Sequence, residues 1–320
     1  MTEISFKNIK PEQDVFFRDV CAGLSRGQKS LPSKYFYDET GSELFTKICE
    51  TPEYYPTRTE LDIMRDNIQP IVCRLGEECL LIEYGSGNGE KVRLLLEHCD
   101  HLAGFIPIDI SDDHLKEAVL DLKRDYPELK VHALFADFTR ELHLPEIDFP
   151  FRKRVVYFPG STIGNFTDAE ALRMLKAMHS FLETGDGLLI GIDLKKDVDI
   201  LERAYNDNAG LTARFNKQVL VRINDELGGD FEIDQFAHRA KYNKSKHRIE
   251  MHLVSLREQT VHVRDREFRF AVGETIHTEN SHKYSIADFA ALAAEAGFKI
   301  DEAWTDEHRL FGVLYFTQKV

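Results

Sequence analysis

Between Cys79 and Asp193 the sequence alternates short apolar runs with amphipathic ones, and no other feature constrains the fold as tightly. "CLLIEYG" is a continuous apolar run, as expected for a strand covered on both faces of a parallel sheet. "GEKVRLLLEHC" follows as a helix, then "LAGFIPIDIS" as a strand and "DDHLKEAVLDLKRDY" as a helix capped by Ser111. "KVHALFAD" and "RVVYFPG" are the next strands, "DAEALRMLKAMHSFL" is a helix capped by Thr167, and "DGLLIGIDL" is a fifth strand. This order predicts a doubly wound α/β sheet.

The pattern breaks after Asp193. Two helices are expected over "DVDILERAYND" and "NAGLTARFNKQVLVRINDEL". Strand-like runs follow in "FEIDQFAHRAKYN", "HRIEMHLVSLRE" and "QTVHVRDREFRFAVG", with Arg266 and Glu267 read as a turn. A helix from Ser285 and two closing strands, "FKIDEAWTD" and "LFGVLYFTQKV", resume the first pattern. Residues 196–284 therefore read as an α+β insertion. The division expected is 58–195 with 285–320 as one domain and 1–57 with 196–284 as another, with ligand between them. The N-terminal part is expected to be mostly helix and loop, Pro52 and Pro56 separating a short helix from a longer one that begins near Thr57.

Composition narrows the partners. The formal net charge of −14 over 320 residues disfavours a nucleic-acid partner. No run reaches the roughly 18 apolar residues of a membrane span, and "MTEISFKNIK" lacks a signal-peptide core. Five scattered cysteines without a CxxC pair suggest reduced thiols in a cytoplasm. The thirteen histidines show no ligand spacing such as HExxH, so no metal is expected. The chain is expected to act on a small molecule, as a monomer.

"LLIEYGSGNGEK" carries the first chemical signal. Glu83, Gly85, Gly87 and Gly89 lie on a strand-to-helix turn, and Asp109 ends the next strand. Glycines allow the tight turn and close approach of a ligand, and a carboxylate at Asp109 can take ribose hydroxyls. The spacing is G-x-G-x-G, whereas a dinucleotide fingerprint reads G-x-G-x-x-G. An acid at position 83 disfavours a pyrophosphate and suits a ligand bearing an ammonium or sulfonium group. Asp137 and Phe138 in "FADF" could meet an adenine amino group and ring face. The paired closing strands fit too, since S-adenosylmethionine methyltransferases end their sheet in such a hairpin. The alternative is that Glu83 and Asp109 merely cap strand ends.

At this point "FYD", "PEYYPTR", "E-x-GSG-x-x-EK", "PIDIS", "GSTIGN", "FNKQVL", "RIEM" and "TENSHKYS", standing in this order from about Leu31 onward, resemble the histidine Nα-methyltransferases of ergothioneine biosynthesis. N-methyltransferases of tryptophan derivatives are similar. The resemblance implies a Rossmann-like class I methyltransferase sheet with a closing antiparallel hairpin, S-adenosyl-L-methionine as cofactor, and an inserted substrate-binding domain. It implies that Gly85, Lys91, Asp109, Asp137 and Phe138 face the cofactor, where the residue reading also puts Glu83 and Gly87. It implies that Tyr37, Tyr54, Gly160, Asn165, Tyr205, Met251, Glu279 and Ser281 line the substrate site. Asn88 and Gly89 depart from the family's usual small hydroxyl residues in the glycine turn.

The implied reaction is trimethylation of the α-amino group of L-histidine to hercynine, with tryptophan, a tryptophan derivative or tyrosine as the alternative substrate. Displacement at a sulfonium asks mainly for positioning. Tyr37 and Asn165 match the positions that would hold the amine as the catalytic pair. Asn165 could instead cap the helix that follows, Tyr205 could simply be buried, and "HTENSHKY" could be a solvated loop. In an extended segment Glu279 and Ser281 share a face, and a carboxylate and hydroxyl there could bind both imidazole nitrogens, with Met251 packed on the ring. An indole would leave Glu279 poorly paired.

Overall fold

The computed structural model describes residues 4–9, 13–87, 89–99, 102–140, 142 and 144–319; Asn88 of the glycine turn lies outside them. Among the described residues the strands are, in chain order, β1 (Ile4–Ile9), β2 (Lys29–Ser30), β3 (Cys79–Tyr84), β4 (Leu102–Asp109), β5 (Val131–Ala136), β6 (Lys153–Phe158), β7 (Gly187–Asp193), β8 (Phe236–Asn243), β9 (Arg248–Ser255), β10 (Gln259–Val263), β11 (Arg266–Phe270), β12 (Thr275–His282), β13 (Phe298–Thr305) and β14 (Phe311–Gln318). The helices are α1 (Gln13–Leu24), α2 (Glu39–Cys49), α3 (Tyr55–Asp66), α4 (Ile68–Leu75), α5 (Glu90–Leu96), α6 (Asp112–Asp125), α7 (Asp168–Ser180), α8 (Val198–Ala204), α9 (Leu211–Leu227) and α10 (Ile286–Glu295).

The chain forms two compact units, one of Met1–Lys10, Pro56–Lys196 and His282–Val320, the other of Pro11–Tyr55 and Asp197–Ser281. The first holds an eight-stranded sheet in the order β1-β5-β4-β3-β6-β7-β14-β13. Strands β1 through β7 in that sheet run parallel, and β14 and β13 close it antiparallel. This is the α/β sheet expected from the alternation, with the closing hairpin that the resemblance implies. Every residue of β3 is buried. Leu80, Ile82 and Tyr84 join one core cluster, and Cys79 and Leu81 join another. That strand therefore has two dry faces, which explains why it shows no polar alternation. Each such aliphatic side chain contributes about 1.5–3 kcal/mol by leaving water.

Strand order reverses beside β3: β4 and β5 extend the sheet on one side, β6 and β7 on the other. Ligands of open α/β sheets sit at the carboxyl ends of strands at such a point. Glu83, Asp109, Asp137, Gly160 and Asp193 all stand at or just beyond carboxyl ends here.

Asp193 also fastens the place where the chain leaves this unit and returns. Its carboxylate pairs with Lys283 at 2.6 Å and with Lys196, and all three side chains are almost wholly buried. Its backbone N–H donates to Ser161 Oγ at 2.8 Å, and its carbonyl accepts from Tyr284 N–H at 3.0 Å. Burial alone would raise the Asp193 carboxyl, but the two ammonium groups more than offset it and hold it below the ordinary range.

The second unit has a four-stranded sheet, β2-β12-β9-β8, and the hairpin β10–β11. Helix α9 turns Thr212, Phe215, Asn216, Val219, Leu220, Ile223 and Leu227 inward, the three-and-four spacing of an amphipathic helix.

Three expectations need correction. Residues 4–9 form strand β1 on the edge of the first unit's sheet, beside β5, instead of joining the 1–57 block. Arg266 and Glu267 lie inside β11, opposite Val263 and His262, so the hairpin turn falls at residues 264–265, with Arg264 in the left-handed region at φ 51°. The stretch around Glu279 is strand β12, extended as the reading of Glu279 and Ser281 on one face supposed, and the loop alternative falls. Ser111 stands at the start of α6 without a side-chain capping bond, whereas Thr167 caps α7 through a full capping box with Glu170.

Candidate active site

In the first unit the turn after β3 is built by glycine. Gly85, Gly87 and Gly89 have φ of 71°, 54° and 72°, a region that costs other residues roughly 1–2 kcal/mol. Gly87 N–H donates to Asp109 Oδ2 at 3.0 Å, and Ser111 N–H to Oδ1 at 2.9 Å. Asp109 thus shapes the turn. A carboxylate offers about four lone-pair sites, the chemistry that ribose hydroxyls require.

Glu83 is fully buried, and its Oε2 finds no hydrogen-bond partner among the described residues. Burial pushes its carboxyl up to about 8, against a hydrogen bond from Ser86 and the charge of Lys91 that pull it down. A dry, incompletely satisfied acid is poised to receive a cation. Asp137 is buried and accepts from Thr139 N–H at 3.0 Å. The half-buried Phe138 ring stands edge-on to Tyr84 and Phe158, with centroids 5.7 and 6.0 Å away. That ring lies 3.9 Å from where a Cβ on Gly85 would be, and a Cβ on Gly87 would meet nothing within 4 Å.

Three consecutive strands thus end in acceptors beside an aromatic face and a bare backbone. The set fits a cationic nucleoside such as S-adenosylmethionine, with Glu83 toward its ammonium, Asp109 toward ribose hydroxyls, and Asp137 and Phe138 toward adenine. A pyrophosphate would meet the Asp109 and Asp137 carboxylates at these strand ends.

After β6 the chain turns at Gly160, φ 76°. A Cβ there would approach Lys91 Nζ to 3.2 Å and force the backbone into strain. Lys91 pairs at 2.5 Å with Glu60, whose carboxylate also accepts from Gly160 N–H. The loop then makes a short 3₁₀ turn, Thr162–Asn165. Gly164 packs so tightly on the His282 backbone that a Cβ would sit 2.9 Å from its carbonyl oxygen. Asn165 does not cap α7, because Thr167 does. No hydrogen bond among the described residues occupies its amide.

The second unit collects a different set. Tyr37 follows a 3₁₀ turn and sits edge-on to Phe45 and Phe215, at 5.7 and 5.5 Å. Phe45 contacts Tyr54 at 6.0 Å, and Tyr54 contacts Tyr205 at 6.1 Å. Tyr205 O–H donates to Ser281 Oγ at 2.7 Å. Burial drives the Tyr54 phenol well above its ordinary value, and Tyr205, Cys49, Tyr37 and Glu279 push it further up. Tyr37, Tyr54, Tyr205, Glu279 and Ser281 are therefore neighbours in one cluster.

Glu279 and Ser281 are 9% and 5% exposed. Asn280, between them, turns instead to His277, beside Glu250 and Arg248. Two neutral-leaning imidazoles, His252 and His277, stack there at 4.8 Å, both held below the ordinary value mainly by burial. Met251 is buried on β9 opposite Ala240, and its carbonyl accepts from Thr278 Oγ1 at 3.1 Å. Thr278 also donates to the fully buried Asn216 of α9, which bridges to the His252 carbonyl.

Sequence reasoning missed Glu60, Asp193, Lys283 and Asn216. Glu60 left one trace: it falls in helical register with Pro56, Ile63 and Met64, which are buried, so it is a charge on an apolar stripe.

Residues 16–318 match the family described as histidine-specific methyltransferase, SAM-dependent. The chain is 44% identical over 301 residues to the histidine N-alpha-methyltransferase of Mycolicibacterium smegmatis, covering 92% of each. It is 42% identical over 303 residues to that of Mycobacterium tuberculosis, again covering 92% of each. The L-tryptophan methyltransferase trpM of Psilocybe serbica is 25% identical over 315 residues, spanning 90% of this chain and 88% of that one. A match over residues 16–318, a span that holds the glycine turn, the Asn165 loop and strand β12, makes the chain a member of the SAM-dependent, histidine-specific methyltransferase family.

Proposed function

We propose that this enzyme transfers methyl groups from S-adenosyl-L-methionine to the α-amino group of L-histidine, three times in succession. The product is hercynine, and the step is the first of ergothioneine biosynthesis. The observation that carries the substrate assignment is the buried pairing of an acid and a hydroxyl, Glu279 and Ser281, within the tyrosine cluster of the second unit. A carboxylate accepts from an imidazole N–H, and a hydroxyl can serve the other ring nitrogen.

The cofactor supplies an electrophilic methyl on a sulfonium. The protein's own contribution is to bind, orient and keep the amine neutral. An α-amino group has a pKa near 8, and each unit of mismatch costs about 1.4 kcal/mol. Positioning can contribute about 7–11 kcal/mol, so no strong base is needed. Tyr37 and Asn165 serve as hydrogen-bonding partners that direct the lone pair. The open amide of Asn165 supports this role, as does the aromatic packing that fixes Tyr37. Tyr205 and Tyr54 line the amino-acid site, Met251 packs on the ring, and Gly160 keeps its loop slim. The first unit serves as the cofactor-binding domain and the second as the substrate-binding domain. The enzyme works on a free amino acid, as a cytoplasmic monomer. Among the described residues no helix is long and apolar enough to cross a membrane.

The second reading, an indole amino acid as substrate, is favoured only by the 25% identical tryptophan methyltransferase. Glu279 argues against it, because a site built around a polar partner strongly rejects analogues that leave that partner unpaired. The purified enzyme, given each amino acid with S-adenosylmethionine, is expected to add three methyl groups to histidine, located on the α-nitrogen by fragmentation. Methylation of tryptophan in preference, or of an imidazole nitrogen, would overturn the reading.

A further inference from the structure

Glu60 is wholly buried on helix α3, yet its carboxylate reaches three other segments. Both oxygens accept from Gly160 N–H at 3.0 Å, and Oε2 pairs with Lys91 Nζ at 2.5 Å. The fourth segment yields space: a Cβ on Gly191 of β7 would sit 2.2 Å from Oε1. Lys91 belongs to the first turn of α5, directly after the glycine turn. Gly160 opens the loop that carries Asn165. One buried anion thus fixes a cation on the cofactor side and a backbone amide on the amino-acid side.

We infer that Glu60 is a positioning residue that holds Lys91 toward the carboxylate of the cofactor's amino-acid end and, through Gly160, sets the loop bearing Asn165. The inference rests on the methyltransferase reading above. An ammonium has three donors, so the bond to Glu60 leaves Lys91 able to bind a ligand carboxylate. Without Glu60 the strongly hydrated ammonium, with a side chain already 17% exposed, would turn to water. The ligand carboxylate would lose its partner, while the nucleoside half would keep all of its own.

The test is E60Q, which keeps the shape but removes the charge and leaves one acceptor oxygen for which Gly160 N–H and Lys91 must compete. Calorimetry compares S-adenosylhomocysteine with 5′-methylthioadenosine, which has the same nucleoside but no amino-acid end. The wild type binding S-adenosylhomocysteine is the control for the function itself; failure there sinks the methyltransferase reading, not this one. In E60Q, S-adenosylhomocysteine should weaken about tenfold, methylthioadenosine should stay within about twofold, and the KM for histidine should rise with it. K91M should reproduce the cofactor loss without the histidine effect. Equal loss of both nucleosides, or no loss of either, overturns the proposal. Should E60Q not fold, Gly191→Ala displaces the same carboxylate with its charge intact and must give the same selective loss.

Discussion

The two units solve the problem of a binding site in opposite ways. The first uses backbone: three left-handed glycines, an N–H bonded to Asp109, and acids at the ends of adjacent strands. Its pieces come in chain order from one stretch, and any nucleoside with a cationic tail would find them useful. The second uses side chains drawn from three distant places: Tyr37 and Tyr54 near the N-terminus, Tyr205 after α8, and Glu279 and Ser281 on β12. The cofactor half is therefore general and the amino-acid half is specific. Apart from Glu60 and the Gly160–Asn165 loop it holds, substitutions in one should leave the other's ligand largely alone, as expected for independent sites.

The largest expected effect falls on the scaffold of the first unit. Asp193→Ala removes the carboxylate that the buried Lys283 and Lys196 share and should destabilise the protein by about 3–5 kcal/mol in urea unfolding. Because the folded Asp193 carboxyl is depressed, its contribution is complete above the ordinary carboxylate range and is lost as pH falls through the lowered value. A variant as stable as wild type would remove Asp193 from the account.

Next comes the general half. Asp109→Ala should weaken S-adenosylhomocysteine by about 1.5–3 kcal/mol, roughly 10- to 150-fold, and leave the histidine KM nearly unchanged. An equal effect on histidine would erase the contrast between the units. Glu83 gives a finer readout. Its carboxyl, raised to about 8, is protonated at neutral pH and should ionise when a cation arrives. Calorimetry in buffers of different ionisation enthalpy should report release of about one proton on cofactor binding near pH 7, and Glu83→Gln should abolish it. The stability sign is the reverse of that at Asp193. Between the ordinary carboxyl value of 4.5 and about 8 the folded state holds the extra proton, so this contribution falls as pH rises through that window. The smallest effect is Tyr205→Phe, which deletes a neutral hydrogen bond to Ser281. It should raise the histidine KM about 2- to 10-fold, equivalent to about 0.5–1.5 kcal/mol, without touching cofactor affinity.

The same contrast explains what could be read from sequence. The sheet from β3 to β7 was legible because burial on both faces produces apolar runs, and the glycine turn because left-handed backbone demands glycine. The burial of strand β12 was not legible: Thr278, Glu279, Ser281 and His282 are polar, yet all are buried, so hydropathy pointed outward where the chain points in. Its site residues came from resemblance to a family, since no local pattern brings Tyr54 to Tyr205. The Arg264–Asp265 turn was misplaced by two residues because charges run through the whole hairpin. Glu60, Asp193 and Lys283 were hidden for a shared reason: each is a charge whose partner lies far along the chain.

The central claim is that side chains of the second unit read the imidazole of the amino acid while the first unit holds the cofactor, and Glu279→Ala tests it most directly. The measurement pairs S-adenosylhomocysteine affinity with kcat/KM for histidine on the same preparation. The account predicts cofactor affinity within about twofold of wild type and histidine turnover reduced at least about tenfold by loss of a charge-assisted bond. Unchanged histidine turnover, or an equal loss of cofactor affinity, would contradict it.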